Sequence, residues 1–132
     1  MQRYDGRDLG ASPHIAILGS CKLGNFIVTI PMLRLLREKY PGAVIDFWGS
    51  EITKDFELAM CGENQPLDWR TSWDKRYSEI KEIFNSFTDR INKYSNYDLL
   101  INCDGFNPFT QAISSLFKPK YLAGAGIRED GR

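Results

Sequence analysis

"HIAILGSCKLGNFIVTIPMLRLLREKYPGAVIDFW", residues 14–48, decides the fold. "HIAILG" (14–19) is a short β-branched apolar run and reads as a buried strand. A glycine-bearing loop follows, and then a helix from about residue 25 to Tyr40. Pro41 ends that helix, because a proline disfavours helical backbone at the residue before it. Pro31 falls inside the helix and removes a hydrogen bond there, which predicts a kink or a helix that starts near Thr29. "AVIDFWG" (43–49) is a second strand. Strand, glycine loop, helix, turn and strand in that order is how many α/β proteins build a site for a phosphate or a sugar.

Outward from this stretch the same alternation continues. Ser50 is placed to cap a short helix reaching about Met60. Residues 61–73 are polar and turn-rich, with a short strand expected at 67–70. Tyr77, Ile80, Phe84, Phe87, Ile91 and Tyr94 are spaced 3, 4, 3, 4, 3 and share one face of a helix over 75–94, the pattern of a core seam. "YDLLINC" (97–103) is a third apolar strand, 108–117 a further helix, and "KYLAGAG" (120–126) a further strand. Strands alternating with helices predict an α/β Rossmann-like three-layer sandwich with a mainly parallel sheet. Residues 1–13 form a polar lead and 14–132 a single domain. Ligands of such sheets bind at the carboxyl ends of the strands, so the loops 19–25 and 103–107 should share one rim.

Composition sets the outer bounds. The chain has 132 residues, 42% hydrophobic and 26% charged, which fits one ordinary globular domain. Seventeen basic residues balance seventeen acidic ones, so no overall field favours nucleic acid or an anionic membrane. The local cluster Arg34, Arg37 and Lys39 reads as a solvated helix face, with peripheral contact to anionic headgroups as the alternative. No apolar run approaches the roughly 18 residues of a membrane span, and "MQRYDGRDLGAS" has no apolar stretch of the signal-peptide kind. Cys21, Cys61 and Cys103 are odd in number and form no CxxC, so they read as thiols in a reducing cytoplasm.

The usual chemical signatures then fail one by one. "GSCKLGNF" (19–26) has the glycine spacing of a phosphate-binding loop, but Asn25 and Phe26 stand where lysine and a hydroxyl residue would work. A dinucleotide fingerprint lacks its middle glycine, and Asp46 alone supports one weakly. Cys21 and His14, the single histidine, flank one strand whose extended chain spans roughly 23 Å, so they cannot form a catalytic pair. His14 is expected to face solvent at the strand's amino end. No residue cluster has metal-ligand spacing. The loop is left with backbone N–H groups, a helix start, Lys22 and Asn25, suited to an anionic or hydroxyl-rich ligand. Equally, Gly24 makes the turn and Asn25 merely caps the helix.

Two blocks point further. "LGNFIVTIPMLRLLREKYPGAVIDF" resembles the opening of glycosyltransferase family 9, the lipopolysaccharide heptosyltransferases, whose pattern runs Leu-Gly-Asp, an apolar stretch, Thr-Pro and a Leu-rich helix ending in Tyr-Pro. Gly24, Pro31, Leu33, Leu36, Tyr40, Pro41 and Gly42 fit it, while Ile30 replaces the threonine. "YDLLINCDGFNPFTQAISSLFKPKYLAGAG" is similar to a second block of the same family, a "YDLVIDL.G" strand followed by helix and strand. The resemblance implies one half of a GT-B architecture, in which the N-terminal Rossmann-like domain receives the acceptor. A C-terminal domain, absent from this chain, would bind the nucleotide-sugar.

It further implies inverting, metal-independent transfer to a glycolipid or protein acceptor, without a cofactor beyond that donor, at the inner face of a membrane in the cytoplasm. The family's base is the Asp of Leu-Gly-Asp, and here that position is Asn25, whose amide has no useful basicity. Asp104, on the same rim, is the substitute base, or alternatively a turn residue before Gly105. The implied acceptor-binding set is Lys22, Leu23, Gly24, Asn25, Asp104, Gly105 and Asn107. A rival reading keeps the fold as a non-catalytic ligand-binding domain, and a nucleotide-dependent oxidoreductase is disfavoured by the missing glycine. Without a donor domain, the 132-residue chain alone is expected not to transfer sugar.

Overall fold

The computed structural model describes residues 1–20, 22–60, 70–71 (backbone only) and 80–126. Among them are six strands and four α-helices in the order β1 (Gln2–Arg3), β2 (His14–Leu18), α1 (Leu23–Lys39), β3 (Val44–Trp48), α2 (Lys54–Ala59), β4 (Arg70–Thr71), α3 (Ile80–Tyr94), β5 (Leu99–Asn102), α4 (Pro108–Leu116) and β6 (Tyr121–Gly124). The strands form one sheet in the order β1-β6-β5-β2-β3-β4, and every pairing is parallel. The fold is α/β and Rossmann-like.

Its centre is β2. All five of its residues are buried, as a strand covered by helices on both faces must be. Ile15, Ile17, Ile45, Phe47 and Leu99 pack with Phe26 and Leu33 of α1 on one face of the sheet. Ala16, Leu18, Trp48 and Leu100 pack on the other against Ile83 and Phe87 of α3 and Ile113 and Phe117 of α4. From β2 the chain steps outward to β3 and β4, then returns to β5 and β6 on the opposite side. The order therefore reverses between β2 and β5, and the crevice of a doubly wound sheet opens there.

Several expectations are corrected. The polar lead is part of the sheet: Gln2 and Arg3 pair with Tyr121 and Leu122, and Tyr4 and Leu9 pack on the core. α1 runs unbroken from Leu23 through Pro31 rather than starting near Thr29. Pro31 lies on the exposed face, as does Ile27 four residues before it, so water can serve the carbonyl that the proline leaves without a donor. Thr53, not Ser50, is the N-cap of α2, and Ser50 instead bonds the Thr53 hydroxyl at 3.1 Å. In α3 the buried residues are Ile83 and Phe87, with Phe84 and Ile91 partly buried beside them, while Ile80 is exposed. The seam is thus shifted toward Ile83, a position the spacing argument passed over. Residues 61–69 and 72–79, including Cys61 and Tyr77, lie outside the described residues.

His14 is not at the surface. Only 2% of it is exposed, and its ring nitrogens lie 2.9 Å from the Ser95 carbonyl and 2.7 Å from Asp46 Oδ2. Asp46 also accepts from Tyr97 Oη at 2.9 Å and from both Nε and a terminal nitrogen of Arg90. Burial alone would raise the Asp46 carboxyl. The hydrogen bonds and charges of His14 and Arg90 outweigh it and hold the pKa below the usual carboxylate value. Tyr97 is pushed up, first by burial and then by the Asp46 charge. The polar residue at a strand's amino end is inside because Asp46 of β3 and the Ser95 carbonyl of the turn before β5 meet its two ring nitrogens, while Arg90 and Tyr97 hold Asp46.

Candidate functional site

The rim predicted from sequence exists. Gly19 N–H donates to the Trp48 carbonyl and Cys103 N–H to the Leu18 carbonyl, both at 2.9 Å, so the ends of β2, β3 and β5 lie level. Gly19 is needed for packing: a Cβ there would stand 2.5 Å from the Phe47 ring. Gly24 is different. It sits inside the first turn of α1 with open space where a Cβ would go, so it does not make the turn.

Nor does Asn25 cap the helix. The N-cap is Lys22, whose side chain makes no capping bond. Ser20 organises this corner, its Oγ accepting from Asn25 Nδ2 at 3.0 Å and from Lys22 N–H at 3.3 Å. Ser20 is buried and its role was not read from the sequence; the hydroxyl five residues before the amide was the available signal.

Across the crevice, the turn after β5 is tied down from both sides. Buried Asn102 accepts from the Asp104 N–H at 3.0 Å and donates to the Ala125 carbonyl at 2.7 Å. Gly124, at φ +89°, lies so close to the Asn102 carbonyl that only glycine fits. Asn107 caps α4 by accepting from Phe109 N–H at 3.0 Å, and its Nδ2 donates to Asp104 Oδ2 at 3.0 Å. The Asp104 carbonyl accepts from Thr110 Oγ1 at 2.7 Å, and the Gly105 carbonyl from Gln111 Nε2 at 2.5 Å. Asp104 is thus held at a defined place on the rim.

Between these two corners lies a cavity of about 450 Å³ lined by Asn25, Val28, Thr29, Met32, Cys103, Asp104, Gly105 and Phe106. Of the residues expected to bind an acceptor, Asn25, Asp104 and Gly105 line this cavity, Asn25 from α1 and the other two from the turn after β5. Lys22, Leu23 and Gly24 precede it along the loop and first turn, with Lys22 and Gly24 exposed, and Asn107 stands behind Asp104 as the cap of α4. Asp46, the acidic residue that a dinucleotide reading would use, is committed to His14, Tyr97 and Arg90 away from this rim. Cys103 is not in a disulfide, and among the described residues no cluster could hold a metal ion. No described helix is long and apolar enough to cross a membrane. Compared with protein families, with curated proteins and with solved structures, the chain matches none.

Proposed function

We propose that this domain is the acceptor-side half of a heptosyltransferase-like glycosyltransferase. Such an enzyme moves a sugar from a nucleotide-sugar to a hydroxyl of a glycolipid or protein acceptor at the cytoplasmic face of a membrane. The observation that carries the reading is the cavity at the point where the strand order reverses, with Asn25 on one wall and Asp104 on the other. In this reading the acceptor occupies the cavity and the donor approaches from a second domain. The acceptor hydroxyl attacks the anomeric carbon, its proton passes to the Asp104 carboxylate, and the nucleoside diphosphate leaves with the bonding electrons. Asn25 positions the hydroxyl, an amide being able to hold but not to deprotonate it.

The non-catalytic alternative draws on one observation, the engagement of the Asn25 amide with Ser20. A transfer assay separates the two, using a panel of nucleotide-sugars and a polypeptide that joins this domain to a donor-binding one. Transfer that falls by about 10²-fold or more in Asp104→Asn, the range of a lost general base, supports the enzyme. Binding of acceptor sugars without transfer from any donor supports the alternative. Turnover by the 132-residue chain alone, with a nucleotide seated on residues 19–25, would exclude both.

A further inference from the structure

His14 is the only histidine of the chain, and both of its ring nitrogens face oxygen acceptors. Nδ1 lies 2.9 Å from the Ser95 carbonyl, which can only accept, so Nδ1 must carry hydrogen. Nε2 lies 2.7 Å from Asp46 Oδ2. That carboxylate already accepts from Arg90 and Tyr97, which keeps it ionised, so Nε2 must carry hydrogen as well. A ring with hydrogen on both nitrogens is the imidazolium cation. Its surroundings suit a charge in spite of burial. Asp46 of β3 faces the ring, and Asp98 of the turn before β5 accepts from the His14 backbone N–H at 2.9 Å. These two carboxylates balance His14 and Arg90 of α3. The rings of Tyr94 and Tyr97 complete the enclosure, with centroids 5.4 and 4.2 Å from that of His14.

The Ser95 carbonyl belongs to the turn that joins α3 to β5, and Ser95 holds a left-handed φ of 70° that residues other than glycine rarely adopt. Such a backbone persists where its surroundings fix it, and the bond to His14 is one of the fixings. We propose that His14 is a proton latch on this turn: the imidazolium fastens Ser95, and loss of one ring proton to water lets the turn go. A neutral ring has a single N–H. The Asp46 carboxylate, held by Arg90, keeps that hydrogen at Nε2, because a charged acceptor makes the stronger bond. Nδ1 then turns a lone pair toward the Ser95 carbonyl, acceptor against acceptor, and that bond breaks. Ser95 is exposed, so water takes over its carbonyl and the opening stays local. Folding holds a proton that the unfolded chain gives up more readily, so the latch stabilises the fold at low pH and its contribution is lost as pH rises. It lies at the opposite end of the sheet from the cavity and is independent of the acceptor-side reading.

The test is NMR of the isotope-labelled chain, in which the single histidine gives one set of ring signals. At about pH 7, both ring nitrogens should carry protons and resonate as an imidazolium. As pH is raised further, the ring should pass to the Nε2–H tautomer, and the amides of Ser95, Asn96 and Tyr97 should shift with the same midpoint. Urea unfolding gives a second readout. The unfolding constant should rise with pH by up to about tenfold per unit through that midpoint. His14→Gln, which has no ring proton to lose, should show no such rise. A neutral ring in the folded chain at about pH 7 overturns the latch. So does a ring that titrates while those amides stay in place, or a pH dependence that survives unchanged in His14→Gln. The ring signals are read on the native chain, so they decide the matter even where His14→Gln fails to fold.

Discussion

The two ends of the parallel sheet treat their polar side chains in opposite ways. Toward the amino end of the sheet, His14 at the start of β2 and Asp46 in the middle of β3 are buried, with side chains 3% and 1% exposed, and Asp46 also bonds Arg90 and Tyr97. At the carboxyl ends, Asn25 and Asp104 stand on the walls of an open cavity and are steadied from behind by Ser20 and Asn107. One aspartate is enclosed among the core strands and helices, and the other stands on the wall of a cavity. At the closed end Asp46 accepts from Tyr97 Oη and from two nitrogens of Arg90, and His14 Nε2 lies 2.7 Å from it. At the open end Ser20 and Asn107 bond Asn25 and Asp104 beside a cavity that both residues line.

The largest effect that could break this contrast is the loss of Asp46. Asp46→Ala leaves Arg90 and His14 facing a vacancy in the core, and removing one partner of a buried ionic network costs about 3–5 kcal/mol. Asp104→Ala removes the acceptor of the half-buried Asn107 amide from a side chain on a cavity wall, and should cost clearly less than the loss of Asp46. Urea denaturation of the two variants measures both. Similar losses in the two would mean that the rim aspartate is structural as well.

Acid sharpens the same point. Because the folded-state pKa of Asp46 is depressed, its contribution to stability is fully present above the unfolded carboxylate value of about 3.9 and is lost as pH falls through the lower folded value. Stability measured by denaturation should therefore drop steeply below about pH 4 in the native protein. The drop should be shallower in Asp46→Asn. An equally steep fall in that variant would assign acid sensitivity to other carboxylates.

Within the closed end, Tyr97→Phe makes a smaller cut. Its hydroxyl donates to Asp46 and accepts from Trp48 Nε1 at 3.1 Å, so the change leaves a buried indole N–H without its partner. About 1–2 kcal/mol should be lost by thermal or chemical unfolding.

How far the sequence disclosed these two ends follows from what each is made of. The rim was legible because it rests on strand ends and on glycine and proline punctuation, which are local signals: the strands at 14–19 and 97–103 and the helix after Pro108 are where the pattern put them. The closed end was not. His14 and Asp46 lie 32 residues apart and Arg90 a further 44, and no periodicity ties an amino-terminal histidine to a helix arginine. The spacing rule that marked α3 as a core helix treats the charges between its apolar residues as solvent-facing, and Arg90 was one of them. Ser20 and Asn102 escaped for a related reason: their value lies in which backbone groups and amides they bond.

The smallest effect tests the open end directly. α1 has no acidic residue in its first turn, and Asn25 lies in that turn. Asn25→Asp places a negative charge near the positive end of the helix dipole, where such a charge is worth about 0.3–1 kcal/mol and is screened by salt. The cost is slight, because the Ser20 hydroxyl that now accepts from the amide can rotate and donate to a carboxylate. Asn25→Asp should therefore unfold at the same or slightly higher temperature than the native chain, with the gain shrinking as salt is added. Asn25→Ala should stay within about 0.5 kcal/mol of it. A loss above about 1 kcal/mol in both variants would make the Asn25–Ser20 bond a structural lock of the His14–Asp46 kind. The residue facing the cavity would then be no more available to a ligand than those at the closed end.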